Sequence, residues 1–211
     1  MFQEISIIGA GGFGREIKHL IDEINLSHEI WSVIGFFDSS NKPGTIVNGV
    51  PVLGGNDDLI DSECKNFVLA IGDPAALKNI SSKLLMAGKC LPNIIHPTAS
   101  LGAEDFNEIG IGNIFTYGFH MTTNVKLGNF NIFNTRVTLG HDVKIGSFNV
   151  MLPNVQISGN VSVGDENIFG MNSSVLQKKS IGSNNKIGAH SFVATNLGSG
   201  QSVFGNPAVK F

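Results

Sequence analysis

Residues 127–163 read LGNFNIFNTRVTLGHDVKIGSFNVMLPNVQISGNVSV, and every sixth residue of this stretch, counted from Leu127, is apolar. The same spacing continues through fifteen positions from Ile109 to Val193 without a polar exception. Two other residue types recur at every third hexad: glycine at positions 110, 128, 146, 164 and 182, and asparagine at positions 113, 131, 149, 167 and 185. The chain therefore repeats a coil of three similar hexads, which neither helices nor an ordinary sandwich would produce.

The hexads predict a triangular solenoid in which each hexad is one short strand plus a turn. Every sixth side chain points inward and stacks on its equivalent in the next coil, about 4.8 Å away. Since glycine and asparagine tolerate positive φ, we expect their two columns to fill the corners. The count gives about five full coils, and an imperfect coil precedes them because Leu101 lies eight residues before Ile109.

The first ninety residues follow another pattern, an alternation of strands and helices. Residues 5–24, ISIIGAGGFGREIKHLIDEI, predict a buried strand, a glycine turn and a helix, and residues 33–40, VIGFFDSS, predict a second strand. Residues 66–85 predict a third strand and a helix that starts near Pro74. Such alternation is typical of a small parallel α/β unit. We therefore expect two domains, residues 1–92 and 93–211.

The glycine turn satisfies a dinucleotide-binding pattern. Gly9, Gly11 and Gly14 fit G-x-G-x-x-G directly after a strand and before a helix. A helix N-terminus in this place suits a phosphate or diphosphate. However, ninety residues supply only half of a dinucleotide domain, and Asp38 follows somewhat late for the acid that binds the ribose. A nucleotide-sugar site, a redox cofactor and glycines that only permit tight packing stay open as interpretations.

Composition excludes several function classes. The formal net charge of −3 gives no attraction to nucleic acid or to an anionic membrane, so we expect neither as a partner. Cys64 and Cys90 are too few for a disulfide scaffold and have no metal-ligand spacing. No apolar run approaches the length of a membrane-spanning helix, and no basic segment precedes the first strand. These features predict a cytoplasmic protein without a bound metal.

Together the two parts resemble the bacterial sugar acyltransferases with hexapeptide repeats, which are similar to sialic-acid O-acetyltransferases and to N-acetyltransferases of nucleotide-linked amino sugars. The resemblance covers the whole chain through GAGGFGRE, GFFD, AIGD, IHPTA, the hexads and GNPA. It implies a Rossmann-like α/β half domain followed by a left-handed parallel β-helix. It also implies a homotrimer with active sites between subunits, acetyl-CoA as the co-substrate and a nucleotide-sugar substrate.

The resemblance also implies binding residues. Those for the nucleotide sugar are Gly11, Gly12, Phe13, Gly14, Asp38 and Asp73. Those for CoA are Gly159, Lys178, Gly205, Pro207 and Ala208. Among them, the Gly159 N–H is expected to stabilise the thioester oxyanion. The loop at 203–208 is expected near the adenine, and Lys178 either contacts a CoA phosphate or is simply solvated.

The catalytic residues implied by the resemblance are His141, Asp142 and Asn134. An imidazole titrates at about pH 6.5, so His141 can take the proton from an attacking amine or hydroxyl as general base. Asp142 would fix the tautomer of the ring and stabilise the imidazolium. No serine or cysteine has the surroundings of a nucleophile, which favours direct transfer from CoA. The residues three hexads before and after His141 are Thr123 and Gly159, so the repeat itself does not require a histidine.

The function predicted from these features is acetyl-CoA-dependent N-acetylation of a nucleotide-linked amino sugar in bacterial surface-glycan biosynthesis. The alternative within the class is O-acetylation of a sugar such as sialic acid. Zinc-dependent hydration of carbon dioxide, another activity of hexapeptide prisms, needs three histidines. Only His120 and His141 are near enough, and their spacing of 21 does not match neighbouring coils. A non-catalytic nucleotide-binding scaffold is the remaining alternative.

Overall fold

The computed structural model describes residues 2–210, except for the side chain of Glu104. The chain forms two compact units, of which the first ends at Pro97 and the second begins at Thr98. None of the helices in the described part of the chain has the length and apolar character needed to cross a membrane.

The first unit is a five-stranded sheet with two helices. Its elements are β1 (Gln3–Ile8), α1 (Gly12–Ser27), β2 (Trp31–Phe37), β3 (Ile46–Val47), β4 (Val50–Gly54), β5 (Asn66–Leu69) and α2 (Pro74–Met86), with a 3₁₀ turn at Asn56–Asp58. The two-residue strand β6 (Ile94–Ile95) follows and is not part of this sheet. The strand order is β3-β4-β2-β1-β5, and all pairs are parallel except β3 with β4. The predicted Rossmann-like half domain is confirmed, and the β3–β4 hairpin is an addition that the sequence pattern did not indicate.

The two helices form where the sequence directs them. In α1 the apolar residues Ile17, Leu20, Ile21 and Ile24 recur on one face and are buried, and each such side chain contributes about 1.5–3 kcal/mol when it leaves water. In α2 the side chain of Asp73 accepts a hydrogen bond from the Ala76 N–H, and Pro74 occupies the first turn. Both are preferred residues at a helix start.

The second unit is a left-handed parallel β-helix. Its fifteen hexad strands each have two residues: β7 (Glu108–Ile109), β8 (Ile114–Phe115), β9 (His120–Met121), β10 (Lys126–Leu127), β11 (Ile132–Phe133), β12 (Thr138–Leu139), β13 (Lys144–Ile145), β14 (Val150–Met151), β15 (Gln156–Ile157), β16 (Ser162–Val163), β17 (Ile168–Phe169), β18 (Ser174–Val175), β19 (Ser180–Ile181), β20 (Lys186–Ile187) and β21 (Phe192–Val193). A 3₁₀ turn at Glu104–Phe106 precedes them, and β22 (Ser202–Phe204) and β23 (Val209–Lys210) follow. Each hexad strand pairs in parallel with the strand three hexads further on, wherever that strand exists.

Three sheets result, and they form the three sides of the prism. One side is β7-β10-β13-β16-β19, the second runs from β8 through β11, β14, β17 and β20 to β22 and β23, and the third is β9-β12-β15-β18-β21. The sixth-residue side chains fill the interior, and fourteen of the fifteen are buried, while Ile109 in the first coil is half-buried. Phe115 and Phe133 stack there with ring centroids 5.2 Å apart. The predicted solenoid is therefore confirmed.

The corners differ from the expectation. Positive φ occurs at the third residue after each inward side chain from Ile109 to Ile187, and twelve non-glycine residues from Asn124 to His190 have φ between 57° and 61°. Phe130 and Arg136 are among them, although bulky residues seldom adopt this conformation. Hydrogen bonds offset the cost of this conformation, because the N–H of each of these residues from Phe130 to His190 donates to a carbonyl of the preceding coil, as from Phe130 to Ile111 at 2.9 Å.

The glycine and asparagine columns have other causes than positive φ, so their assignment to the corner conformation was wrong. A Cβ on Gly128 would lie 2.6 Å from the carbonyl oxygen of Gly146, so the glycines allow coils to approach each other. The asparagines are buried, and from Asn131 onward each Nδ2 donates to the Oδ1 of the asparagine one coil earlier, as from Asn149 to Asn131 at 3.0 Å. This asparagine ladder, residues 113, 131, 149, 167 and 185, is continuous.

Candidate active site

His141 and Asp142 form a hydrogen-bonded pair where the chain turns after β12. The ring nitrogen Nδ1 of His141 lies 2.8 Å from Oδ2 of Asp142. Asp142 has φ of 58°, and its N–H donates to the Thr123 carbonyl of the preceding coil, which holds the corner in place. Because a carboxylate only accepts hydrogen bonds, Nδ1 carries the proton and Nε2 of the neutral ring keeps its lone pair. Both side chains are exposed, so Nε2 is accessible.

A shallow groove of about 260 Å³ adjoins this corner on the side formed by β9, β12 and β15. Its lining is His120, Thr122, Thr138, Leu139, Gly140, Gln156, Ile157 and Ser158. In this lining the Thr138 hydroxyl donates to the Gln156 amide oxygen and so links the neighbouring strands β12 and β15. Thr138 and Gln156 are outward strand residues that belong to no motif, so the sequence alone did not indicate them.

Asn134 does not meet His141 within the chain. It follows β11, and its Oδ1 accepts a hydrogen bond from the Thr135 N–H at 2.7 Å. The strand β12 lies between the two residues, so they occupy successive corners of one coil. Among the contacts of residues 2–210, none joins Asn134 to His141 or Asp142.

The residues expected to bind CoA lie along one direction of the prism. Gly159 is one coil beyond His141, and its carbonyl accepts from the Lys178 N–H at 3.0 Å. The exposed Lys178 is two coils beyond Asp142 in the same corner, about 10 Å away along the axis. The loop of Gly205, Pro207 and Ala208 continues the β12 side past β21, because the Phe192 N–H donates to Gly205 and the Ala208 N–H to Phe192.

The glycine turn between β1 and α1 contains glycines of two kinds. Gly9 has φ of 100°, and a Cβ on Gly14 would lie 1.9 Å from the Gly9 carbonyl oxygen, so local geometry requires both. Around Gly11 a Cβ would meet nothing within 4 Å, and on Gly12 it would only reach the end of the Arg15 side chain. Packing within the chain therefore does not account for Gly11 and Gly12, which begin α1 and leave its backbone open to a ligand.

The two acidic residues expected at the substrate are both hydrogen-bonded inside the first unit. Asp38 accepts from the Ala10 N–H through Oδ2 and from the Ser40 N–H through Oδ1, each at 2.8 Å. Burial alone would raise the pKa of the Asp38 carboxyl, but these bonds and those from Asn41 outweigh it and hold the pKa below its ordinary value. Asp73 caps α2. The remaining residue of the set, Phe13, is half-buried in the first turn of α1.

No metal site accompanies these residues in the described part of the chain, where no group of three or more His, Cys, Asp or Glu side chains could hold an ion.

Residues 4–84 match the PglD N-terminal domain family. The acetyltransferase domain of PglB from Neisseria gonorrhoeae superposes with a TM-score of 0.89 at 26% identity, with 99% of this chain and 100% of that chain covered. PerB from Caulobacter crescentus, solved with CoA and GDP-perosamine, gives a TM-score of 0.87 at 27% identity, with 99% of this chain and 97% of that chain covered. A search of curated proteins gives no match.

These likenesses confirm the class of enzyme, an acyl-CoA-dependent acetyltransferase built on a hexapeptide-repeat prism. The resemblance to the bacterial sugar acyltransferases is likewise confirmed, and within that class the chain is similar over nearly its whole length to PglB and PerB. WeeI from Acinetobacter baumannii has the same fold, with a TM-score of 0.87 at 24% identity and 100% of both chains covered.

Proposed function

We propose that the protein transfers an acetyl group from acetyl-CoA to the amine of a nucleotide-linked amino sugar. We propose that the reaction takes place in the cytoplasm and contributes to the biosynthesis of bacterial surface glycans. The observation that carries the proposal is the 2.8 Å contact between His141 Nδ1 and Asp142 Oδ2 beside an open groove. It leaves one accessible basic nitrogen at a place where the repeat requires none.

In the proposed reaction the amine nitrogen attacks the thioester carbonyl, the C–N bond forms and the C–S bond breaks. Nε2 of His141 takes the proton of the amine and returns it to the departing thiolate. Asp142 keeps the imidazolium in place while it is charged. The Gly159 N–H is proposed to donate to the oxyanion, and in support, no backbone bond from this N–H occurs within residues 2–210.

For the nucleotide we propose the start of α1. Gly11 and Gly12 leave the first N–H groups of the helix uncovered, and such N–H groups together with the helix dipole attract a diphosphate. Asp38 supports this site indirectly, because its bond to the Ala10 N–H fixes the glycine turn against the loop at Ser40. PerB, which has the same two-part architecture, was solved with GDP-perosamine.

For CoA we propose a path from His141 toward the C-terminal loop. Lys178 lies about 10 Å along the prism axis from the His141 corner, and the loop at 205–208 lies four rungs beyond β12, about 19 Å away. An extended cofactor would thus present its thioester at His141, its phosphates at Lys178 and its adenine at Gly205, Pro207 and Ala208. The PglB domain was solved with acetyl-CoA.

We further propose a homotrimer whose active sites lie between subunits. Asn134 and His141 occupy successive corners of a single coil, so Asn134 can assist a histidine only if it belongs to another copy of the chain.

The test is a screen of nucleotide-linked amino sugars, GDP-perosamine first, with acetyl-CoA and detection of the free thiol. We expect release with at least one amino sugar and none when its amine is already acetylated. Sialic acid serves as the hydroxyl acceptor. Release with sialic acid alone would reassign the chain to O-acetylation, and release with no acceptor would contradict the proposal.

A further inference from the structure

We propose that Gly159 is a positioning residue for His141, because the missing side chain at position 159 leaves the space in which the imidazole lies. The proposal deepens the function above and rests on the assignment of His141 as the base.

Positions 141 and 159 are equivalent in successive coils, since three hexads separate them. The carbonyl of His141 accepts from the Asn160 N–H at 2.7 Å, so the two coils are in close register here. A Cβ built on Gly159 would lie 2.5 Å from Nε2 of His141, 2.8 Å from Cε1 and 3.0 Å from Cδ2. Attractive contact between such atoms begins at about 3.5 Å. The imidazole thus fills the volume that a side chain at 159 would need.

The nearest obstacle to a side chain at 159 is the histidine ring, and the backbone conformation there does not call for glycine. Gly159 is absent from the residues with positive φ, and the three atoms nearest to its added Cβ all belong to the His141 ring. Gly128 is the opposite case, because a Cβ there would meet the carbonyl oxygen of Gly146 at 2.6 Å. Glycine at 128 serves the stacking of coils, whereas glycine at 159 serves one side chain.

A second glycine, Gly140, contributes to the space that holds the His141 ring, which is called the imidazole seat below. A Cβ on Gly140 would lie 2.7 Å from the Gly159 nitrogen and 3.0 Å from its Cα. Gly140 therefore lets the Gly159 backbone approach, and Gly159 in turn lets the imidazole lie over it. The motif Gly-His at 140–141 and the glycine at 159 act as one arrangement across two coils.

The seat matters because little else restrains the ring. The His141 side chain is 64% exposed, and within residues 2–210 its hydrogen bond goes to Asp142 through Nδ1 alone. That bond holds Nδ1 in place, but the position of Nε2 then depends on the Gly159 backbone over which the ring lies. A methyl group at 159 would push the ring away and cover Nε2, the nitrogen with the free lone pair.

The experiment uses the full chain with acetyl-CoA and the amino sugar accepted in the screen, in four variants: Gly159→Ala, His141→Ala, the double variant, and Gly128→Ala as control. Misplacement of a catalytic group by about 1 Å costs up to about 100-fold, so we expect Gly159→Ala to lower kcat by about 10- to 100-fold. We expect its KM for acetyl-CoA and its unfolding midpoint to stay close to wild type. Gly128→Ala should do the reverse and lower the midpoint while the folded protein keeps its kcat.

The double variant decides how Gly159 acts. If it acts through the ring, Gly159→Ala causes no further loss once His141 is alanine. An equal loss in both backgrounds would mean that Gly159 acts by itself, through its N–H or through CoA, and would overturn the inference. A Gly159→Ala enzyme within about twofold of wild type, beside an inactive His141→Ala enzyme, would also overturn it and leave the base assignment intact.

A measurement on the wild-type protein needs neither activity nor a folded variant. Protons of the His141 ring should show a nuclear Overhauser effect to the Gly159 α-protons, because the ring lies over that carbon. Its absence would contradict the seat. Its presence together with a fully active His141→Ala enzyme would keep the seat and refute the function.

Discussion

His141 and Asp142 are consecutive residues, yet their side chains face each other because Asp142 has a left-handed backbone. We predict that His141→Ala lowers kcat by about two to four orders of magnitude, the usual share of general-base catalysis. Binding of acetyl-CoA should change little, because the ring acts on a proton. Asp142→Asn should cost less, since it disturbs the tautomer without removing the base. Steady-state kinetics decide, and a folded His141→Ala enzyme within about threefold of wild type would reduce the pair to a polar turn.

Gly11 and Gly14 differ in what surrounds them, and two substitutions exploit that difference. Gly11→Val should weaken binding of the nucleotide sugar and leave acetyl-CoA affinity and stability nearly unchanged, because the new side chain meets only the space proposed for the ligand. Gly14→Ala should destabilise the first unit, because its Cβ would lie 1.9 Å from the Gly9 carbonyl oxygen. Calorimetric titration and thermal unfolding separate the two effects. A parallel loss of both affinities in Gly11→Val would contradict two separate sites.

The hydrogen bonds to the Asp38 carboxyl predict that the free energy of unfolding depends on pH. Its pKa is lowered in the folded chain by hydrogen bonds from Ala10, Ser40 and Asn41 that outweigh burial. Its stabilisation is therefore fully present above the unfolded pKa of about 3.9 and is lost as the pH falls through the lower folded pKa. We expect Asp38→Asn to remove part of the loss of stability below about pH 4. Urea midpoints measured from acidic to near-neutral pH test this, and parallel curves for both proteins would refute it.

At the scale of the secondary-structure element, the buried asparagine ladder stabilises the prism from inside and forms no part of its surface. Asn149 donates to Asn131 and to the Gly164 carbonyl, and its Oδ1 accepts from Asn167. Asn149→Leu would leave buried polar groups unpaired, which costs about 1–3 kcal/mol for each group. We expect a loss of at least about 2 kcal/mol in the free energy of unfolding, measured by urea denaturation.

The control for the ladder variant is an asparagine that lies at a corner of the prism and outside the ladder. Asn154 sits at a corner with φ of 61°, a conformation that glycine adopts freely. Asn154→Gly should therefore change the unfolding free energy by less than about 1 kcal/mol. Equal losses in Asn149→Leu and Asn154→Gly would show that the ladder contributes nothing special.

The sequence predicted the strands of the prism because an inward side chain every sixth residue is a strict packing requirement. It did not predict which residues take the left-handed conformation, since Phe130 and Arg136 occupy corners that favour asparagine or glycine. Their cost is offset by hydrogen bonds to the previous coil, which a local pattern cannot reveal. In the same way Thr138 and Gln156 become groove residues only when β12 and β15 pair. The hexad spacing placed Gly159 one coil beyond His141, but it held no information about the direction of the imidazole, which lies over that glycine.

For the whole molecule we predict a homotrimer. The second unit exposes several large apolar side chains, namely Ile111, Tyr117, Met171, Leu176 and Phe204. Contact between prisms would cover such residues, and closed symmetric assemblies are the common outcome for self-association. Light scattering should report three times the chain mass at micromolar concentration. A stable monomer that still transfers acetyl groups would contradict both the assembly and the shared active site.

The continuity of the asparagine ladder restricts how relatives of this protein can change in length. One inserted residue inside a coil would move every later asparagine out of line with its neighbour and turn inward side chains toward solvent. An insertion of three whole hexads, by contrast, adds one complete coil with its own asparagine and leaves both flanking amides paired. Duplication of one coil therefore lengthens the prism with the smallest loss of stability. Shorter insertions should be confined to the corners, where they can bulge outward as loops.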